Sequence, residues 1–326
     1  MITAIVPVWN GRELLERLLA SLAAQTCRID ELIVVDNGSE DAAPDVARQA
    51  GARVIEMGRN AGFAAAVNHG IGEARGEWIA VLNSDVELAP DYLEKLVMAK
   101  SAFATGKILN RETGAIDGTF DAACCGGTSW RVGSGRADGP WFSKPRPIWS
   151  APWTAALFRA DLFQKIGILE ESFESYLEDV DFGLRCIRAR IAGAYVPEAI
   201  AWHRGSATLG RWHPDTVRRI ARNQMFLLAR HYSKRLLLRW GWKILVAQAL
   251  WGVVALRHGA GMAWIRGKTE GLVRFSEERT QFVPFEPGVL EQFLRTNERI
   301  ICEFQTATGF DSYWKVYFLM TRGGAK

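Results

Sequence analysis

Apolar residues run almost unbroken through residues 2–6, 31–35 and 78–82 (Ile-Thr-Ala-Ile-Val, Glu-Leu-Ile-Val-Val and Trp-Ile-Ala-Val-Leu). Continuous rather than alternating runs of this length predict strands covered on both faces. Between them, residues 13–25, 43–50 and 64–74 have the length and composition of helices. The rhythm is βαβαβαβ, and it predicts an α/β fold, a Rossmann-like, mostly parallel sheet flanked by helices. Ligands of such sheets sit beyond the carboxyl ends of the strands, so the residues that follow each run are where chemistry is expected.

From residue 126 to 153 the pattern breaks into Gly, Pro, Trp and Arg. A loop of that length inside a compact domain predicts a lid, a binding loop or disorder. Helical signals return at 159–166 and 178–191. A short strand is expected near 194–196. After Pro214 the chain reads as basic and helical to about Gly271, and the tail beyond Glu277 gives no pattern.

Composition narrows this little: 326 residues with 48% hydrophobic and 23% charged content describe an ordinary globular chain. A net charge of +4 is too small to argue for nucleic acid, but its distribution is uneven. Between Asp215 and Glu270 there is no acid, while eleven Arg and Lys residues are interleaved with Leu, Trp and Val. That segregation points to an anionic surface, a membrane leaflet before a polynucleotide. Five cysteines without a CxxC spacing argue against a disulfide framework and for a reducing, cytoplasmic setting. The opening residues do not read as a secretory leader, and the apolar stretch 244–256 is too short to span a bilayer as a helix. A soluble or peripheral protein is expected.

Four motifs follow strands. The first run leads into Pro7, Val8, Trp9 and Asn10, and the second into Asp36-Asn37-Gly38-Ser39. A carboxylate at a strand end can accept the imide N–H of uracil or thymine, which adenine lacks; the plain alternative is a turn or cap residue. Arg59 and Asn60 precede a helix and are candidates for base or phosphate contact, with Gly62 allowing close backbone approach at the helix N-terminus. Asn83-Ser84-Asp85 follows the third run. A hard divalent cation on a diphosphate wants one or two protein oxygens, which Asp85 and Asn83 can supply, unless the tripeptide is simply a turn. Later, Glu178, Asp179 and Asp181 cluster at a helix start, where the dipole favours acids and where one carboxylate could act as a general base. His203 is a candidate third metal ligand, although a lone histidine is more often structural.

Five of these segments stand in the order seen in family-2 glycosyltransferases of the GT-A fold: Pro7-Val8-Trp9-Asn10, Asp36-Asn37-Gly38-Ser39, Asn60-Ala61-Gly62-Phe63-Ala64, Asn83-Ser84-Asp85 and Glu178-Asp179-Val180-Asp181. The chain resembles that family from Ile2 to His203, and is similar to its rhamnosyltransferase-like branch, which builds bacterial cell-surface polysaccharides. The resemblance implies a catalytic domain over 1–213, with a nucleotide-sugar half (1–110) and an acceptor half (111–213), followed by a helical region over 214–326. It implies that Asp36 holds a pyrimidine base, that Asp85 holds a metal-bound diphosphate, with Mn2+ or Mg2+ as cofactor, and that His203 completes the metal site. Pro7, Val8, Asn10, Arg59, Asn60, Gly62, Asn83 and Ser84 would line the donor. Asp179 would be the catalytic base, with Glu178, Asp181 and Trp153 toward the acceptor. Two departures stand out. Asn83 replaces the first Asp of the usual Asp-x-Asp, so metal binding should lean more on nucleotide, and Gly183 stands where relatives often carry Cys.

The expected reaction is a single, inverting displacement from a dTDP- or UDP-sugar, dTDP-rhamnose first, onto a glycan or polyprenyl-pyrophosphate-linked acceptor. The 126–153 loop would close over the donor, with Trp149 or Trp153 stacking on a sugar unless these rings are core. The basic helices would lie on the cytoplasmic membrane face, or form a homodimer interface, or cover the sheet. Two other readings are a nucleotidyltransferase, disfavoured by the lack of an early glycine-rich basic loop, and a dead nucleotide-sugar-binding protein.

Overall fold

A computed structural model describes residues 1–204, 210 and 212–321. It divides into two compact units, Met1–Phe120 with Gly133–Thr208, and Asp121–Val132 with Leu209–Lys326. The insert Asp121–Val132, which lies within the expected acceptor half, thus clusters with the C-terminal helices.

The first unit is built on a ten-stranded sheet. Its first four strands are β1 (Ile2–Val8), β2 (Glu31–Asp36), β3 (Arg53–Glu56) and β4 (Trp78–Leu82), with α1 (Arg12–Ala23), α2 (Ala43–Gln49) and α3 (Phe63–Glu73) between them. All pairings in the order β4-β1-β2-β3 are parallel. Ile5, Val6, Ile33, Val34, Val81 and Leu82 are wholly buried, as the unbroken apolar runs require. The sequence reading ends the first strand at residue 6, but β1 runs on through Pro7 and Val8, the latter paired with Asp36. Strand β3, which the βαβαβαβ rhythm requires between the second and third helices, offered no apolar run of its own because Arg53 and Glu56 at its ends are exposed, leaving only Val54 and Ile55 as apolar signal.

After β5 (Val86–Leu88), α4 (Tyr92–Met98), β6 (Phe103–Asn110) and β7 (Ile116–Gly118), the sheet becomes mixed. (The next two strands, β8 at Asp121–Ala123 and β9 at Ser129–Arg131, belong to the second unit.) It then takes in β10 (Arg146–Ile148), β11 (Ala155–Arg159) and β12 (Gly193–His203), with α5 (Ala160–Ile166) and α6 (Glu178–Arg188) between the last two. Strand β11 lies antiparallel between β4 and β6, and β12 runs parallel to β6. The short strand expected at 194–196 is in fact eleven residues long, carried past an irregularity between Val196 and Ile200, and it ends on His203.

Residues 126–153 are not one open loop. They contain β9, β10 and a single 3-10 turn at Pro140–Phe142. Trp153 is 2% exposed, packed 4.4 Å from the Phe158 ring and edge-on to Phe182 at 5.1 Å. The expectation that it stacks on a sugar or touches an acceptor is therefore corrected, because its ring is part of an aromatic core with Phe163.

Among the described residues, the second unit joins the β8–β9 hairpin to seven helices: α7 (Pro214–His231), α8 (Lys234–Arg239), α9 (Gly241–Arg257), α10 (Gly261–Val273), α11 (Phe275–Arg279), α12 (Val289–Thr308) and α13 (Ser312–Thr321). The hairpin turn needs glycine: a Cβ on Gly126 would lie 2.4 Å from Ala247, and one on Gly127, at φ +72°, 2.5 Å from Leu228. The tail that gave no sequence signal supplies α12 and α13. Acids on α11 and α12 answer several charges of the acid-free basic interval. Lys243 pairs with the buried Glu298 at 2.6 Å, Arg230 with Glu278 at 2.8 Å and Arg239 with Glu291 at 3.1 Å. Lys268 is half-buried, donating to the Ala221 carbonyl and Gln224, and desolvation of its ammonium pulls its pKa down to about 7. Arg230 is thus an internal strut, Lys243 is half-buried against a buried acid, and Arg239 is exposed in a surface ion pair. Of the alternatives weighed for this interval, these pairings favour packing within the unit for Arg230, Lys243 and Lys268. No helix among the described residues is long and apolar enough to cross a membrane.

Candidate active site

Three loops at the carboxyl ends of the parallel strands are knitted together by side chains. Asn10 takes a left-handed conformation (φ 58°), its N–H donates to Ser39 Oγ at 2.9 Å, and its Oδ1 accepts from Glu40 N–H at 2.9 Å. Asp41 accepts from the N–H groups of Gly11 and Arg12 at 2.8 and 2.9 Å, so the α1 N-terminus is satisfied by a carboxylate from the neighbouring loop. Asp36 is 5% exposed and accepts from Ser39 N–H at 3.1 Å. It thus has the turn role weighed in the sequence, at a strand end beside β1.

Asn37, quoted in the motif but given no role, is the hub of the next loop. Its amide donates to Asn60 Oδ1 and the Gly62 carbonyl, both at 3.1 Å, and its oxygen accepts from Ala61 N–H at 2.9 Å. Arg59 and Asn60 are exposed at the rim, and the Arg59 backbone crosses so close to Gly38 (φ +81°) that a Cβ there would lie 2.7 Å from it. Gly62 is equally constrained: at φ +92°, an added Cβ would meet the Glu174 carbonyl at 2.9 Å. That carbonyl accepts from Ala64 N–H, and Ser175 Oγ from Phe63 N–H, so the start of α3 is docked on the segment that leads into α6.

The same segment holds backbone strain. Glu174, Tyr176 and Leu177 have φ of 59°, 73° and 68°, and Leu177 caps α6. Left-handed conformations cost non-glycine residues on the order of 1–2 kcal/mol each, and such strain clusters where a fold must hold one geometry. Here it delivers Glu178 and Asp179, 6% and 7% exposed, to the first turn of α6. Gly183 explains the departure from cysteine. The Trp149 carbonyl would lie 2.6 Å from a Cβ at this position, which lets Ser150 Oγ reach the Asp179 carbonyl at 3.2 Å. Four residues on, the Thr154 carbonyl accepts from Asn83 N–H. Asp179 and the Asn83 turn are therefore tethered to one five-residue segment, on the order of 15 Å when fully extended.

Asp181 departs from the acceptor role. It is wholly buried and bonded to Arg185 Nε at 2.9 Å, one turn along α6, and Arg185 also donates to the Ile166 carbonyl. This i,i+4 pairing, legible in the sequence, makes Asp181 part of the helix's packing. Asp181→Ala should lower stability by about 3 kcal/mol, the scale for removing one partner of a buried ion pair. Urea unfolding would measure it, and a loss under about 0.5 kcal/mol, the range of ordinary surface changes, would contradict this assignment.

At the end of β4, Asn83, Ser84 and Asp85 turn the chain into β5. Asp85 Oδ1 lies 3.0 Å from His203 Nε2, and His203 Nδ1 lies 2.9 Å from Asp117 Oδ2. Burial pulls the His203 pKa down, but the hydrogen bonds and charges of Asp117 and Asp85 outweigh it and raise it to about 9. Asp117, on β7, escaped the sequence reading: it stands alone in Ile-Asp-Gly, and only the β7–β6–β12 pairing carries it to a histidine 86 residues away. Asn83 Oδ1 is buried and has no hydrogen-bond partner among the described residues. An orphaned carbonyl oxygen and a carboxylate in one turn, with the imidazole at the end of β12 bonded to that carboxylate, fit the needs of a divalent cation completed by phosphate oxygens. Among the described residues no three His, Cys, Asp or Glu side chains form a metal site on their own.

Residues 3–167, half of the chain, match the family described as Glycosyl transferase family 2. The chain belongs to that family. This glycosyltransferase is 29% identical over 276 residues to the N-acetylglucosaminyl-diphospho-decaprenol L-rhamnosyltransferase of Mycobacterium tuberculosis, covering 74% of its own length and 87% of the relative's. It is 36% identical over 121 residues to the succinoglycan biosynthesis protein ExoO of Rhizobium meliloti, covering 36% and 35% of the two chains. Among solved structures, GalNAc-T7 with UDP, GalNAc and Mn2+ superposes with a TM-score of 0.64 at 14% identity, over 95% of this chain and 58% of that one. The mannosyltransferase PcManGT of Pyrobaculum calidifontis, with GDP-Man and Mn2+, gives 0.50 at 16% identity, over 98% and 86%. These likenesses place the glycosyltransferase in the GT-A fold.

Proposed function

We propose that this glycosyltransferase moves a sugar, rhamnose from dTDP-rhamnose first among the donors, onto a polyprenyl-pyrophosphate-linked glycan in cell-surface polysaccharide synthesis, with inversion at the anomeric carbon. The observation that carries the reading is the Asp85–His203 pair beside the Asn83 turn that follows β4, with Asp179 tethered to the same short segment as that turn. The acceptor class rests on the mycobacterial relative, whose name includes a decaprenol diphosphate.

In this account Asp36 and the rim residues Arg59 and Asn60 receive the base, beside Pro7, Val8 and Asn10, while Gly62 and Ser84 lie along the donor. Asp85, His203 and Asn83 Oδ1 would hold Mn2+ or Mg2+. Bound there, the cation neutralises the charge that develops on the departing nucleoside diphosphate. Asp179 takes the proton from the acceptor hydroxyl as that oxygen attacks, and Glu178 stands beside it to orient the acceptor. A peripheral position at the cytoplasmic membrane face follows from a lipid-linked acceptor.

Calorimetry with dTDP, UDP, GDP and ADP, each with and without Mn2+, tests the donor half. Pyrimidine nucleotides should bind best and only with the cation, and equal affinity in EDTA would overturn the reading.

Asp117 should act as a positioning residue, since outer hydrogen bonds fix a ligating histidine's ring and typically change metal affinity by about 10- to 100-fold. Asp117→Asn should weaken Mn2+-dependent dTDP binding by about tenfold and alter the His203 ring signals in 15N NMR, with the fold unchanged by circular dichroism. Wild-type affinity together with unchanged ring signals would refute that role.

A further inference from the structure

Most of the exposed large apolar residues of the second unit, Leu238, Val283 and Phe310 apart, fall on three helices. On α9, Trp242, Leu245, Val253 and Leu256 are 46–70% exposed. At 100° per residue they fall, with exposed Ala249, within a stripe about 80° wide on one helix face. Helix α10 packs against α9, with Gly252 set against the Trp264 ring, and repeats the pattern with Met262, Ile265, Leu272 and Val273, 49–74% exposed. Trp242 Nε1 donates to the Met320 carbonyl at 3.0 Å, joining the first stripe to the end of α13, where Leu319 is 78% exposed. Monomeric soluble proteins rarely leave so many large apolar side chains uncovered together.

Charge says what covers them. Helices α8, α9 and α13 contain no acid, and the one acid of α10, Glu270, is paired with Arg218 at 2.7 Å. Lys234, Arg235, Arg257, Arg266 and Lys315 are exposed on these helices. A second copy of the chain, placed by a two-fold axis on this face, would bring like charges together with no acid to answer them. An anionic lipid leaflet answers both features: apolar side chains sink into the acyl boundary while arginine and lysine meet phosphate headgroups.

We propose that the α9–α10 face, extended by the end of α13, is an interfacial membrane-docking surface that takes an anionic lipid leaflet without spanning it. Its biological purpose rests on the lipid-linked-acceptor reading; the surface does not. It also relocates the contact suggested by the basic interval, because Arg239 and Lys243 are committed to ion pairs with Glu291 and Glu298.

Flotation of the full chain with vesicles of phosphatidylcholine, with or without phosphatidylglycerol, tests it. Leu245→Glu with Leu256→Glu changes only exposed positions, and Arg257→Gln with Arg266→Gln removes two charges. Wild type should float with the anionic vesicles and weakly with the neutral ones. The first pair should abolish flotation, and the second should weaken it by about fivefold per charge. Mn2+-dependent dTDP binding, measured on the same samples, should stay at the wild-type level in both variants. Flotation with neither vesicle, or flotation unaffected by the glutamates, would overturn the proposal. So would a wild-type dimer that the glutamates convert to monomer. Wild type that floats but binds no nucleotide would instead refute the donor reading and leave this surface standing.

Discussion

Asp179→Asn is expected to cut sugar transfer by about 10²-fold or more, the usual scale for losing a general base, while metal-dependent nucleotide binding stays nearly intact. The reason lies in how α6 begins. Left-handed Tyr176 and Leu177 hold Glu178 and Asp179 in the first turn, and Val180 N–H donates to Asp179 Oδ1 at 2.9 Å. An amide keeps the size of the side chain and cannot take a proton. Steady-state rates beside calorimetry separate the two effects. If Asp179→Asn keeps its turnover and Glu178→Gln loses it, the base has been assigned to the wrong member of the pair. Asp181 is no longer a contender, because its carboxylate is committed to Arg185.

The second large effect is expected at Asp85. Asp85→Ala should weaken Mn2+-dependent nucleotide binding by on the order of 10²-fold or more, since charge neutralisation by a bound cation is worth several kcal/mol. The side chain sits in a turn between two strands and is bonded to His203, so its loss removes a ligand without opening the β4–β1 core. Calorimetry with and without EDTA distinguishes the variant from wild type. An Asp85→Ala protein that still binds dTDP more tightly with Mn2+ would show that the cation is held elsewhere.

The nucleotide half was legible because β1, β2 and β4 are covered on both faces, and a strand so placed must be apolar throughout. What stayed hidden was non-local. Asp117 meets His203 only after β7, β6 and β12 have paired. The basic interval looked unpaired because Glu278, Glu291 and Glu298, which answer Arg230, Arg239 and Lys243, lie 48 to 55 residues further along the chain. Helix α12 gave no pattern because Asn297, Glu298 and Gln305 share its buried face with Leu294, Ile301 and Phe304, and polar residues at core positions blur the helical period. Trp153 was misplaced by composition: its Gly- and Pro-rich surroundings read as a loop, although it stands two residues before the apolar strand β11 whose Phe158 it packs against. The Asp181–Arg185 pair, by contrast, was available to any reader of the i,i+4 spacing.

The central claim is transfer itself. Wild-type protein with Mn2+, a synthetic polyprenyl-pyrophosphate-linked N-acetylglucosamine and a panel of dTDP-, UDP- and GDP-sugars would be followed by mass spectrometry of the lipid-linked product and by NMR of its new anomeric centre. One sugar should be added per nucleoside diphosphate released, from a pyrimidine nucleotide donor, with the anomeric configuration opposite to the donor's. Extension from GDP-sugars alone, a product that retains the donor's configuration, or no extension from any donor would contradict it.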